Sequence, residues 1–307
     1  MALDVRVVPM IVREGHVHPW AALVAVVVLW MSVLPAAQPG RGPRRIVSTS
    51  PGITETLFAL GLGDRVVGVS TYCRFPPAVA TIARVGTFLK PDAEVIARLK
   101  PDLVFVHAGP NSTASQLATL GIKTSIVDRG SLPSVFSTIR QIGAAAGVPD
   151  RADRLLRDID TRLGRVKEEV SRRSPRKVLI VVGRRTGTLT DIVAVGHGSY
   201  LHDVAALAGG VNVLGSTTPE YPRISMETVI GLAPDVIVDI GEMGESPRDS
   251  GRRRAITEGL WREQTLVKAV RDASVHVTTD EAFVVPGPRI VDVAETMASW
   301  FHGVHIR

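Results

Sequence analysis

The chain has 307 residues, 45% hydrophobic and 21% charged, an ordinary globular composition with length enough for two cores. Its net charge of +6 sits in short clusters (Arg172, Arg173, Arg176 and Lys177; Arg184 and Arg185; Arg252 to Arg254) with no interleaved aromatics, which argues against a nucleic-acid partner. The single cysteine, Cys73, excludes a disulfide within the chain.

The N-terminal stretch differs from the rest. Residues 21–34 (AALVAVVVLWMSVL) are an uncharged apolar run, preceded by Arg6 and Arg13 and followed by Pro35, Ala36 and Ala37. The run is shorter than the roughly 20 residues of a bilayer span and suits the core of a signal peptide. Residues 1–37 are therefore expected to direct export, either cleaved near Ala37 or kept as an N-terminal anchor. Residues 38–44 read as a linker rich in Pro, Gly and Arg. No Cys follows the run, so no lipid-anchored form is expected.

Arg45 to Ser48 starts a short strand, and Ile53 to Leu60 reads as a helix closed by Gly61 and Gly63. Strands follow at Val66 to Val69, Leu103 to Val106 and Thr124 to Val127, with helices at Ala93 to Leu99 and Gln116 to Leu120 between them. That alternation predicts an α/β lobe with a mainly parallel sheet over 45–148. From Asp150 to Arg173 there is no Pro, and Leu155, Ile159, Leu163, Val166 and Val170 recur at helical spacing among charged residues. One long amphipathic helix is therefore expected, spanning 149–174. Strand–helix alternation then resumes in a second lobe, 175–307. Its strands are at Val178 to Val182, Val236 to Ile240 and Val275 to Thr278, and its helices at Leu201 to Ala208 and Arg289 to Phe301.

The two lobes repeat each other. Glu94, Leu99, Pro101 and Asp102 recur at constant spacing as Glu227, Leu232, Pro234 and Asp235. The architecture expected is thus two similar α/β lobes joined by one long helix, with a ligand cleft between them.

These stretches resemble the helix-linked periplasmic binding proteins that deliver cobalamin or ferric siderophores to ABC importers. The resemblance runs from about Arg44 to Phe301. Its specific parts are Arg45 to Pro51 with Thr54 and Glu55; Gly68 to Tyr72 with Pro76 and Pro77; Val85 to Phe88; Glu94 to Leu103; and Tyr221 to Glu227. It implies that Glu94 and Glu227 dock into arginine pockets of the importer's transmembrane subunits. Two such carboxylates on a pseudo-symmetric molecule suit a two-fold symmetric partner. It also implies that Tyr72, Phe88 and Tyr221 line the cleft, where aromatic faces suit a corrin or catecholate. Related cobalamin binders carry Trp at the positions of Phe88 and Tyr221. Asp280 matches a ligand-contacting position, and Arg289 opens the last helix. His107 follows a parallel strand at its carboxyl end, where open α/β sheets hold ligands; Arg74 and His197 are similar candidates.

The function implied is capture of a corrinoid or ferric-siderophore complex and its delivery to a membrane permease, with no cofactor, by a periplasmic monomer. Haem is the alternative cargo. An anchored α/β enzyme using the cleft is the rival from another class, although no nucleophile-elbow, Walker or dinucleotide-binding glycine motif is present. Of the eight His, four lie near the termini and His107, His197, His202 and His276 are scattered, so no bound free metal ion is expected.

Overall fold

The computed structural model describes residues 42–108, 113–216, 219–241 and 250–306. The apolar run at 21–34, with the expected cleavage site, lies outside the described residues. No helix among the described residues is long and apolar enough to cross a membrane.

The first lobe carries strands β1 (Ile46–Ser48), β2 (Val66–Val69), β3 (Ala83–Arg84), β4 (Leu103–His107) and β5 (Thr124–Val127), in the order β3-β2-β1-β4-β5 and all parallel. Its helices are α1 (Pro51–Ala59), α2 (Ala93–Arg98), α3 (Thr113–Thr119) and α4 (Leu132–Ala145). The long helix α5 (Pro149–Val170) follows. The second lobe holds β6 (Arg176–Gly183), β7 (Ile192–Ala194), α6 (Tyr200–Leu207), β8 (Gly210–Asn212), β9 (Arg223–Ile224), α7 (Met226–Leu232), β10 (Val236–Asp239), α8 (Ser250–Arg262), α9 (Lys268–Arg271), β11 (Val275–Val277) and α10 (Ile290–His302).

The repeat read from the sequence is a repeat of topology. In each lobe the leading strand (β1 or β6) is flanked on one side by a parallel strand reached through a helix (β2 or β8). On its other side lie two further parallel strands, β4 and β5 or β10 and β11. The Pro-Asp pair explains itself structurally. Asp102 accepts the backbone N–H groups of Arg44 and Arg45, and Asp235 accepts that of Lys177, so each carboxylate ties down the start of its leading strand. Lys100 and Ala233, one residue before each Pro, share a left-handed backbone with φ of 47° and 46°. The second lobe differs in one respect. It adds the short β7, antiparallel to β6, and β9, antiparallel to β7, at one edge of a sheet that is otherwise parallel, as expected.

Strand side chains alternate between two cores. Leu103 and Phe105 face one, Val104 and Val106 the other; Val178, Ile180 and Val182 face one, Leu179 and Val181 the other. The first of these cores is continuous through both lobes. α5 joins it with a stripe of Ala152, Leu156, Ile159, Leu163, Val166 and Val170, packed between α4 and α10. Leu155, expected on that stripe, lies at its margin. Full burial of each larger stripe residue stabilises by about 1.5–3 kcal/mol, so the bridge is a structural beam rather than a flexible tether. On its outer side Arg162 forks onto Asp292 and Glu295 of α10.

Candidate functional site

The carboxyl ends of β1, β2 and β5 feed segments that meet the second lobe. Tyr200 donates its backbone N–H to the Gly130 carbonyl at 2.9 Å, and Asp203 accepts the Leu132 N–H at 3.0 Å, capping α4 from the opposite lobe. Nearby, Gly52 lies so close to the Pro286–Gly287 turn that a Cβ there would come within 2.4 Å of the Pro286 carbonyl oxygen. Glu55 on α1 is forked by Arg289, at 2.8 Å from Nε and 2.5 Å from Nη2, and Arg74 pairs with Glu281. The Arg289 guanidinium also stacks 4.3 Å from the Phe75 ring centroid. Arg289 is therefore an inter-lobe clasp. Burial pushes the Glu55 carboxyl up, and Arg289 draws it back only in part.

Tyr72, Phe88 and Tyr221 are 40%, 42% and 41% exposed, unusual for rings in a chain with three Tyr and seven Phe. Each stands on a braced loop. Cys73 is wholly buried, with its Sγ 3.1 Å from the Thr54 hydroxyl, and Arg84 donates to its carbonyl at 2.7 Å, fixing the turn that presents Tyr72. Burial raises the Cys73 thiol pKa, so it stays a packing thiol. Thr71 donates both its N–H and its hydroxyl to the Gly86 carbonyl. Gly86, at φ +88°, pairs with Pro91 to close the loop carrying Phe88, and a Cβ on Gly86 would meet the Lys90 oxygen at 2.7 Å. Tyr221 is fixed by a 3.2 Å hydrogen bond between its hydroxyl and that of Ser199, and by the Glu220 and Pro222 carbonyls, which accept from Gly196 and Ala194. Burial raises the Tyr221 pKa, and Arg129 of the other lobe is near enough to oppose that rise.

His107 is held rather than free. Its Nδ1 lies 3.1 Å from the Asp128 carbonyl, which only accepts, so Nδ1 carries the proton of the neutral ring. Nε2 then accepts from the Ser50 hydroxyl at 2.8 Å. Ser50 is 4% exposed, so this Ser–His contact fastens the ends of β1 and β4 and offers no open nucleophile. Burial, and secondarily the charge of Arg129, lowers the His107 pKa below 6.5. A base depressed in this way favours the fold above its unfolded value and loses that contribution as pH falls through the folded one. Acidification below about pH 6.5 is thus expected to lower the thermal midpoint. Calorimetry on His107→Gln should show a smaller fall; an equal fall would assign the acid sensitivity elsewhere.

Asp280 caps the turn Glu281–Val284 by accepting the Ala282 N–H at 2.9 Å, and its carboxylate lies 3.6 Å from Arg289. It remains exposed at the rim. His197 is exposed, edge-on to His202. No group of three or more His, Cys, Asp or Glu is arranged to hold a metal ion among the described residues. Glu94 and Glu227 are both exposed, in the first turns of α2 and α7 behind the caps Asp92 and Ser225. The Ser225 hydroxyl and its own backbone N–H hold the Glu227 carboxylate below the usual range. The Glu55–Arg289 clasp is the site feature that sequence reasoning missed. Its one trace was Glu55 on an otherwise uncharged helix.

Comparison with known proteins agrees with this geometry. A family model described as periplasmic binding protein matches residues 46–282. The vitamin B12-binding protein of Salmonella typhimurium strain LT2 is 31% identical over 203 residues, covering 66% of this chain and 74% of that protein. Among solved structures, the apo periplasmic heme-binding protein of Roseiflexus sp. RS-1 is 26% identical with a TM-score of 0.73, covering 85% of this chain and 99% of that one. The periplasmic vitamin B12-binding protein of Vibrio cholerae is 25% identical with a TM-score of 0.70, covering 85% and 97%.

Proposed function

Because the chain belongs to the periplasmic binding protein family, we propose that it is the exported solute-binding component of an ABC importer, capturing a corrinoid or ferric-siderophore complex between its lobes and presenting it to the membrane subunits. The observation that carries this reading is the set of half-exposed rings, Tyr72 and Phe88 of the first lobe and Tyr221 of the second, each on a braced loop. Rings left open on rigid loops are a preformed apolar wall, which costs little ordering entropy when a large flat ligand arrives. The continuous core through α5 limits lobe motion, so affinity would come from that wall rather than from wide closure. The cargo is carried unchanged: Ser50 and His107 hold each other, Glu55 is paired and Cys73 is buried, so none of these is an activated nucleophile. Haem is a second reading, favoured by the likeness to the Roseiflexus heme-binding structure.

Tryptophan-quenching titration against cyanocobalamin, haem and a ferric catecholate tests the proposal, with at least one expected to bind at micromolar concentration or tighter. Tyr221→Ala should weaken that ligand by roughly 1–3 kcal/mol, on the scale of one large apolar contact. Binding of none of the three by the wild type would refute capture.

A further inference from the structure

Charge at the lobe junction is almost entirely answered from within. Glu55 and Asp280 face Arg289, and Glu281 faces Arg74. Arg129, like Glu220 beside Tyr221, has no ion pair among the described residues, and it is exposed. Its place is nevertheless built. The residue before it gives its carbonyl to the His107 ring and the Thr138 hydroxyl, and the residue after it gives its carbonyl to Tyr200 N–H of the opposite lobe. The backbone of Arg129 is thereby clamped on both sides, with Gly130 at φ +109° making the turn. Tyr200 follows Ser199, whose hydroxyl holds Tyr221, so the Arg129 loop is tied to the segment that fixes one of the proposed ligand rings. The Asp128 carbonyl bonds within the first lobe and the Gly130 carbonyl bonds the second, which places Arg129 between the lobes. Glu220, the acidic residue nearest in sequence to Tyr221, forms no ion pair with Arg129 among the described residues.

The repeat sharpens the contrast. Arg129 stands in the loop after β5, and Asp280 stands in the loop after β11, the matching strand of the other lobe. Of these two rim charges the anion is partly neutralised at 3.6 Å by Arg289, and the cation is left open. A guanidinium is a planar fork suited to two oxygens of a carboxylate or phosphate.

We propose that Arg129 is an anion-recognising residue of the inter-lobe site, and that the metal complex captured there carries a peripheral oxyanion. This rests on the capture reading above. The rings supply area, and Arg129 selects among flat ligands by their charged edge.

Two ligand pairs test it, each differing in the charge of the oxyanion: haem against its propionate dimethyl ester, and cyanocobalamin against its neutral phosphate methyl ester. In the pair that the wild type binds, the oxyanion-bearing member should be preferred by about tenfold, the scale of a charge-assisted hydrogen bond. Arg129→Gln should bring that ratio close to one while leaving the other member's affinity unchanged. Arg129→Lys should keep part of the preference, and high salt should shrink it. A ratio in Arg129→Gln equal to that of the wild type overturns the assignment and leaves capture standing. Failure of the wild type to bind either pair sinks both.

Discussion

Replacing Arg289 by Met is expected to destabilise the protein by about 3–5 kcal/mol, because it leaves the Glu55 carboxylate buried and unpaired. Glu55 is 3% exposed and Arg289 18%, so water replaces little of the lost contact. The fork supplies two hydrogen bonds, at 2.8 and 2.5 Å, and the same guanidinium covers the Phe75 ring. For a chain of this size the loss corresponds to a fall in thermal midpoint of roughly 6–20 °C. The pH dependence has a definite sign. Burial already pushes the Glu55 carboxyl up with Arg289 in place, and removing Arg289 removes what opposes that rise. A raised acid is least costly while protonated, so the deficit should be small at acidic pH and grow as pH rises through the raised value. The double variant Glu55→Leu with Arg289→Met should recover most of the stability, since no buried charge remains. Thermal denaturation of the single and double variants across pH decides the matter. A loss independent of pH, or no recovery in the double variant, would show that the clasp acts through packing alone.

The second large effect is expected in transport. Glu94→Ala combined with Glu227→Ala should leave ligand affinity as in the wild type and sharply reduce uptake by cells carrying the importer. Both carboxylates are exposed, and each occupies the same turn of an equivalent short helix in its lobe. Neither makes an ion pair among the described residues, so both are open to an arginine on a two-fold related surface. Truncating one partner of a charge pair that becomes buried in a complex lowers affinity by roughly 30-fold or more. Uptake equal to wild type in the double variant would remove the docking role, and a matching loss of ligand affinity would place these residues in the binding site instead.

Several elements were legible in the chain because their causes are local. The stripe from Ile159 to Val170 is a periodicity, and a periodicity survives without a neighbour. The Val66–Val69 and Thr124–Val127 strands fall where apolar β-branched runs end at turn residues. Helix α4 was not read at all. Its buried Val135, Ile139 and Ile142 do recur at helical spacing, but Ser134, Ser137 and Thr138 blur the pattern, and its cap, Asp203, comes from the other lobe. The antiparallel β7 and β9 are two or three residues long, too short for any period to show.

What the sequence determined by itself was the doubled α/β plan, the helix between the copies and the matched positions of Glu94 and Glu227. Each rests on hydrophobic spacing or on a motif repeated within one chain. What only the tertiary structure decided was the partner of each charge at the lobe junction. Glu55 meets Arg289, Arg74 meets Glu281, and Arg129 keeps an open edge. Those pairings join residues far apart in the chain. They follow from how two sheets approach across a shared core, and no local pattern of residues records that approach.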